Sequence, residues 1–198
     1  MKILGSIIAG GRSSRMGERE KAFMPLAGKS ILDLVVGRFE PQVDWLIINA
    51  NGDPERFSEF ELAVRPDLME TLKTPLAGLH ASLTLARTMG ADMLVTTPSD
   101  TPFLPIDLAA RLIEGARNSG AAIATSGERE HYLTGAWTTG LLSKLEDAIA
   151  HDGMFRVKDW AQRANAAKVD WPTTPYDPFF NVNTPEDLAA AEQIARGV

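Results

Sequence analysis

The chain has 198 residues, enough for one compact domain with a sizeable core, and its 44% hydrophobic and 23% charged residues exclude the disordered, fibrous and low-complexity classes. Lys and Arg number 20 against 26 Asp and Glu, a formal net charge of −6 without a basic block, which argues against nucleic-acid and anionic-membrane partners. The absence of cysteine excludes disulfides, thiolate metal sites and cysteine nucleophiles, and suits a reducing cytoplasm.

The first apolar run, residues 3–9, is too short for a signal peptide, and the Gly/Arg-rich stretch after it is unlike a cleavage site. It is read as a first buried strand. Further short apolar runs at 43–49, 62–64, 93–97 and 121–125 alternate with stretches of helical periodicity. That alternation predicts a three-layer α/β fold, a mostly parallel sheet with helices on both faces. Leu76, Leu79, Leu83, Ala86 and Met89 recur at helical spacing before Gly90, a helix stop. A second helix is expected to open at Pro105, turn Leu108, Leu112 and Ala116 inward, and end at Asn118-Ser119-Gly120. A last helix opens at Thr184-Pro185-Glu186-Asp187, where a threonine N-cap, a proline at the first position and an acid at the third coincide.

From Tyr132 the pattern becomes mixed, with Trp137, Trp160 and Trp171 followed by the turn-rich residues 172–178. No repeat, linker or stretch near the ~20 apolar residues of a spanning helix interrupts the chain. One domain over 1–198 is expected, with a first part over about 1–105 and a second, substrate-binding part over about 106–198.

Three stretches carry chemistry. Ile8-Ala9-Gly10-Gly11-Arg12-Ser13-Ser14-Arg15-Met16-Gly17 follows the first strand, with Lys21 close behind. Glycines there let successive backbone N–H groups line one concavity, and Arg12, Arg15 and Lys21 add positive charge, which together describe a polyphosphate cradle. A Gly-rich turn with solvated arginines fits the spacing equally well. The order is not G-x-G-x-x-G, and Gly28-Lys29-Ser30 lacks a P-loop's first glycine because Phe23 stands there.

Pro98-Ser99-Asp100-Thr101-Pro102 lies at the carboxyl end of the run 93–97, the edge where open α/β sheets bind ligands. One carboxylate beside a phosphate cradle is what a Mg²⁺ shared with substrate phosphates needs; an Asx-turn aspartate is the simpler alternative. In Phe180-Asn181-Val182-Asn183-Thr184, strand alternation would turn both asparagines to one side and Phe180 and Val182 to the core. Paired amides can bind a metal, a water or a polar ligand. Asn49-Ala50-Asn51, Asp67 and the helix start Thr74-Pro75-Leu76-Ala77-Gly78 are weaker signals of the same kind. His80, His131 and His151 are scattered without metal-ligand spacing, and His80 reads as a packing or surface residue.

In this order the segments resemble the molybdenum cofactor guanylyltransferase family, within the nucleotidyltransferases of Rossmann-like α/β fold. The resemblance runs over nearly the whole chain. It rests on the residues 9–17 with Lys21, on Pro41-Gln42-Val43, Ile48-Asn49-Ala50-Asn51 and Pro75-Leu76-Ala77-Gly78, and on Ser99-Asp100-Thr101-Pro102 and Phe180-Asn181-Val182-Asn183-Thr184-Pro185. It implies a Mg²⁺-dependent enzyme that joins GTP to molybdopterin and releases pyrophosphate, with cofactor-delivery proteins and molybdoenzymes as further partners. GTP contacts would fall on Ile8, Ala9, Gly10, Gly11, Lys21, Asn49, Asp67 and Asp100, and catalytic charge on Arg15, Lys21 and Asp100. Asp100 and Asn183 would hold the metal, and Asn181 and Asn183 the pterin substrate. Two departures stand out: Thr74 where the family often has glycine, and Ser99 where it often has cysteine. The competing readings are a cytidylyltransferase or a sugar-phosphate nucleotidyltransferase of the same fold, and a non-catalytic nucleotide- or cofactor-binding module.

Overall fold

The computed structural model describes residues 1–9, 21–69 and 71–197. Its centre is a seven-stranded sheet in the order β5-β4-β1-β6-β8-β7-β9. The strands are β1 (Ile3–Ile8), β4 (Trp45–Asn49), β5 (Ala63–Arg65), β6 (Met93–Pro98), β7 (Ala121–Ser126), β8 (Arg129–Thr138) and β9 (Ala167–Trp171). All neighbouring pairs run parallel except the two that β8 makes with β6 and β7. A two-stranded hairpin, β2 (Pro25–Leu26) with β3 (Lys29–Ser30), stands apart.

Helices cover both faces, as the alternation of apolar runs predicts. On one face α2 (Pro75–Thr88), α4 (Leu142–Asp152) and α5 (Val157–Arg163) bury Leu76, Leu79, Leu83, Leu145 and Trp160 against Leu4, Leu94, Ile123 and Trp137. On the other, α1 (Ile31–Phe39) and α3 (Leu108–Gly115) pack Leu32, Val35, Phe39, Leu108 and Leu112 on Ile7, Ile48 and Val95. The last helix, α6 (Pro185–Arg196), closes a smaller cluster of Leu26, Ile31, Phe103 and Val182. Burial of such side chains contributes roughly 1.5–3 kcal/mol each.

Three local expectations are corrected. The helix read from Pro105 opens at Leu108. The Pro105 carbonyl is already engaged by the Leu108 N–H at 3.3 Å and by Gln42 Nε2 at 2.9 Å, which holds residues 105–107 as a turn. The run at 62–64 becomes a strand one residue later, over Ala63–Arg65. Residues 180–183 form no strand. β6 is flanked by β1 and β8 and has no free edge, so the segment meets the end of β6 through the Val182 N–H, which donates to the Asp100 carbonyl at 2.9 Å, while the Phe180 N–H turns back to the Asp177 carbonyl at 3.1 Å. Its alternation survives: Val182 is buried, while Asn181 and Asn183 turn to the other side.

Candidate active site

The carboxyl ends of β1, β4 and β6 lie side by side, because these strands are parallel and adjacent. Ser6 and Ser82 share a buried hydrogen bond at 2.8 Å that fixes α2 against β1. Of the candidate site residues, Gly10, Gly11 and Arg15, together with Arg12, lie outside the described residues. The remaining candidates form two groups.

The first joins Lys21, Asp100, Asn181 and Asn183. Asp100 follows β6, and its Oδ1 accepts from Asn181 Nδ2 at 2.9 Å. Lys21, opening a short 3₁₀ turn, donates from Nζ to Asn183 Oδ1 at 3.0 Å. Residues 100 and 181 thus meet across 81 positions and residues 21 and 183 across 162. The segment 177–183 acts as a strap that ties both charges to one place. Burial pushes the Asp100 carboxyl above the ordinary carboxylate range, against the Asn181 hydrogen bond and the positive charge of Lys21.

The strap is anchored by the start of α6. Thr184 Oγ1 accepts from Asp187 N–H at 3.1 Å, and Asp187 Oδ2 accepts from the N–H groups of Asn183 and Thr184, each at 2.9 Å. This capping box holds Asn183 by its backbone while the side chain reaches Lys21. The same donors hold the Asp187 carboxyl below its ordinary value, the Asn183 N–H first among them.

The second group is Asn49, Asn51 and Asp67. Asn49 ends β4 and is 1% exposed, its Nδ2 donating to the Arg65 carbonyl and to Asp67 Oδ1, both at 3.1 Å. Asn51 binds Asp67 twice, through Nδ2 to Oδ2 at 2.8 Å and by accepting the Asp67 N–H at 2.9 Å. The Ala9 N–H donates to the Asn49 carbonyl at 2.8 Å, which continues β1 past Ile8 toward this group. Gly78, in the first turn of α2, lies directly over Asn49. Thr74 caps α2 without a side-chain hydrogen bond, and its Oγ1 is buried without a partner among the described residues.

The donor chemistry suits a hard cation shared with phosphates. Asp100 offers a second carboxyl oxygen beyond the one that Asn181 engages, and Asn183 offers an amide oxygen. No group of three or more His, Cys, Asp or Glu gathers for a metal among the described residues. His80 is a buried packing residue. His131, which its spacing left without a role, stands near the amino end of β8, opposite the carboxyl end of β7. Its only sequence signal is a position on a strand too irregular to read.

No helix among the described residues is long and apolar enough to cross a membrane.

The MobA-like NTP transferase domain family matches residues 5–167. A molybdenum cofactor guanylyltransferase of Nitrobacter hamburgensis is 42% identical over 195 residues, 96% of this chain and 93% of that protein. In structure the chain is similar to molybdopterin-guanine dinucleotide biosynthesis protein A of Archaeoglobus fulgidus, with a TM-score of 0.72 and 23% identity, over 98% of this chain and 100% of the other. It is also similar to 2-C-methyl-D-erythritol 4-phosphate cytidylyltransferase of Thermus thermophilus, with a TM-score of 0.70 and 20% identity, over 99% and 100%. The fold is therefore common to guanine- and cytosine-using enzymes, and the full-length sequence identity places the chain among them: it is a nucleotidyltransferase of the MobA-like family and belongs to the molybdenum cofactor guanylyltransferases.

Proposed function

We propose that this enzyme transfers GMP from GTP to the terminal phosphate of molybdopterin, forming the guanine dinucleotide cofactor and releasing pyrophosphate. One observation carries the reading: a single strap meets both Lys21 and the aspartate that follows β6, through Asn183 and Asn181. A binding module needs no such convergence of a mobile cation and a desolvated carboxylate; a phosphoryl-transfer site does.

The residue roles follow. An oxygen of the acceptor phosphate attacks the α-phosphorus, and the bond from that phosphorus to pyrophosphate breaks on the opposite side. Lys21 neutralises negative charge on the triphosphate, with Arg15 and the amides of Gly10 and Gly11 as further donors. Asp100, assisted by Asn183, holds Mg²⁺, which when bound supplies Lewis-acid charge neutralisation. The Ile8 and Ala9 backbone, Asn49 and Asp67 receive the nucleoside. Asn181 and Asn183 face the second substrate. No general base is required, because a phosphate monoester is already ionised near neutral pH. The substrates are soluble anions, and a cytoplasmic setting fits them.

Pyrophosphate release with GTP, CTP, ATP and UTP, with and without molybdopterin and Mg²⁺, tests the reading. GTP is expected to exceed CTP by at least about 100-fold in kcat/KM, because buried polar groups left unpaired by the wrong base reject it strongly. Equal use of CTP overturns the guanylyltransferase reading in favour of a cytidylyltransferase. Release that ignores molybdopterin overturns the choice of acceptor.

A further inference from the structure

β8 is longer than its neighbour. It pairs with β6 only from Met93 opposite Thr138 to Thr96 opposite Gly135, and its earlier residues continue past the end of β6 on the side where Asp100 lies. Against β7 the register jumps: Ile123 faces Gly135, yet the next residue, Ala124, faces His131. Residues 132–134 are thus accommodated as a bulge, a device that re-aims side chains beside sites. It places His131 at the carboxyl edge, in the row just beyond Thr96.

The imidazole there is held on two sides. Nε2 shares a 2.7 Å hydrogen bond with Ser126 Oγ, and the ring lies on Phe179, with centroids 4.7 Å apart at 41°. Phe179 is itself fixed edge-on to Trp171 at 5.3 Å, and its N–H donates to Asp177 Oδ1 at 2.9 Å. Nδ1 of His131 and Oδ2 of Asp177 have no hydrogen-bond partner among the described residues. Burial disfavours the charged imidazole, with Arg129 acting the same way and the Asp177 carboxylate opposing them. A neutral ring with one nitrogen engaged leaves the other for a ligand. Phe179 sits on the strap two residues before Asn181, which holds Asp100, so this wall and the reacting centre are parts of one segment.

We propose that His131 and Asp177 form the specificity subsite for the second substrate, binding the N–H-bearing edge of its heterocycle while its phosphate reaches toward Lys21 and Asp100. The carboxylate accepts from adjacent ring and exocyclic N–H groups, as an aminopyrimidinone presents them. Nδ1 of His131 makes a third hydrogen bond. This rests on molybdopterin, a pterin, being the acceptor. Ser126 and Phe179 are positioning residues, which fix the ring so that Nδ1 is preorganised.

The test compares His131→Phe, which keeps the ring on Phe179 but loses both nitrogens, with His131→Asn and Asp177→Asn. Steady-state KM for molybdopterin and for GTP is measured, together with molybdopterin binding without GTP, followed by its pterin fluorescence. His131→Phe and Asp177→Asn are each expected to raise the molybdopterin KM and dissociation constant about five- to tenfold, the effect of one lost hydrogen bond, with the GTP KM within twofold of the parent. His131→Asn is expected to recover part of the loss. Unchanged molybdopterin binding in His131→Phe and Asp177→Asn overturns the subsite, as does a fall in GTP affinity in step with it, which marks a merely structural role. A parent that binds the pterin in a His131-dependent way yet releases no pyrophosphate from GTP overturns the proposed reaction and leaves the subsite standing.

Discussion

Gly78 and Asn49 are in such close approach that a β-carbon built on the glycine falls within 3.0 Å of Asn49 Oδ1 and 3.2 Å from Ile8 Cγ2. Asn49 cannot give way freely, because its Nδ2 is held by Arg65 and Asp67. Gly78→Ala is therefore expected to displace Asn49, raise the KM for GTP about tenfold or more, and lower stability by about 1–3 kcal/mol, the usual range for overpacking. GTP titrations and thermal melts check this, and unchanged GTP affinity removes Asn49 from the nucleoside site.

Lys21→Ala removes one preorganised charge with little loss of packing. Turnover is expected to fall on the order of 10²- to 10³-fold while the melting temperature changes little. A variant within threefold of the parent places Lys21 outside the reaction.

Asp100 illustrates a conflict between stability and activity. Burial raises its carboxyl above the ordinary value, so the proton is held more tightly in the folded chain than in the unfolded one. Its ionisation leaves stability untouched below the ordinary carboxylate value of about 4, and destabilises the fold as pH rises through the raised folded value. Asp100→Asn keeps an oxygen for Asn181 without the charge. The variant is expected to melt higher than the parent at neutral pH and to turn over far more slowly, with a raised Mg²⁺ requirement. Equal melting curves and an unchanged Mg²⁺ half-saturation point reduce Asp100 to a turn residue.

Asp187 has the opposite sign. Its depressed value means that the capping box contributes stability above about pH 4 and loses it as pH falls through the lower, folded value. The stability gap between the parent and Asp187→Ala, measured by denaturant unfolding, is expected to be constant near neutrality and to close in acid. Thr184→Ala is expected to cost about 1 kcal/mol and to slow turnover as well, because Asn183 loses its fixed backbone. A stability loss without any kinetic effect separates the cap from the site.

What could be read from residues alone follows the strength of each local signal. β1, β6, β7, α2 and α6 were legible because they are continuous apolar runs or carry explicit caps and stops, such as Thr184 with Asp187 and Gly90 at a φ of +74°. α1 was not read: Val35, Val36 and Gly37 depress helix propensity, and only the Ser30 and Asp33 capping box and buried Phe39 reveal it. β8 escaped because only residues 134–137 are buried, too short a window for a ten-residue strand with a bulge. In the site, the convergence of Lys21 with Asn183 and of Asp100 with Asn181 depends on the path of the strap, which no spacing encodes. The asparagines were found by alternation, although the strand that alternation implied does not exist. His131 depends on the β8 register and left no local trace.

The antiparallel strand between β6 and β7 also bears on synthesis of the chain. β6 finishes at Pro98, but its open edge is covered only when β8, ending at Thr138, has emerged. Until then the nascent sheet β5-β4-β1-β6 presents a row of unpaired N–H and C=O groups along β6, a largely buried strand and a template for pairing between chains. Ribosome-bound or truncated chains that stop after α3 are aggregation hazards on this account. The reacting centre is completed later still, when the strap emerges and crosses the finished sheet, so an intermediate with all seven strands paired remains without Asn181 on Asp100 and Asn183 on Lys21.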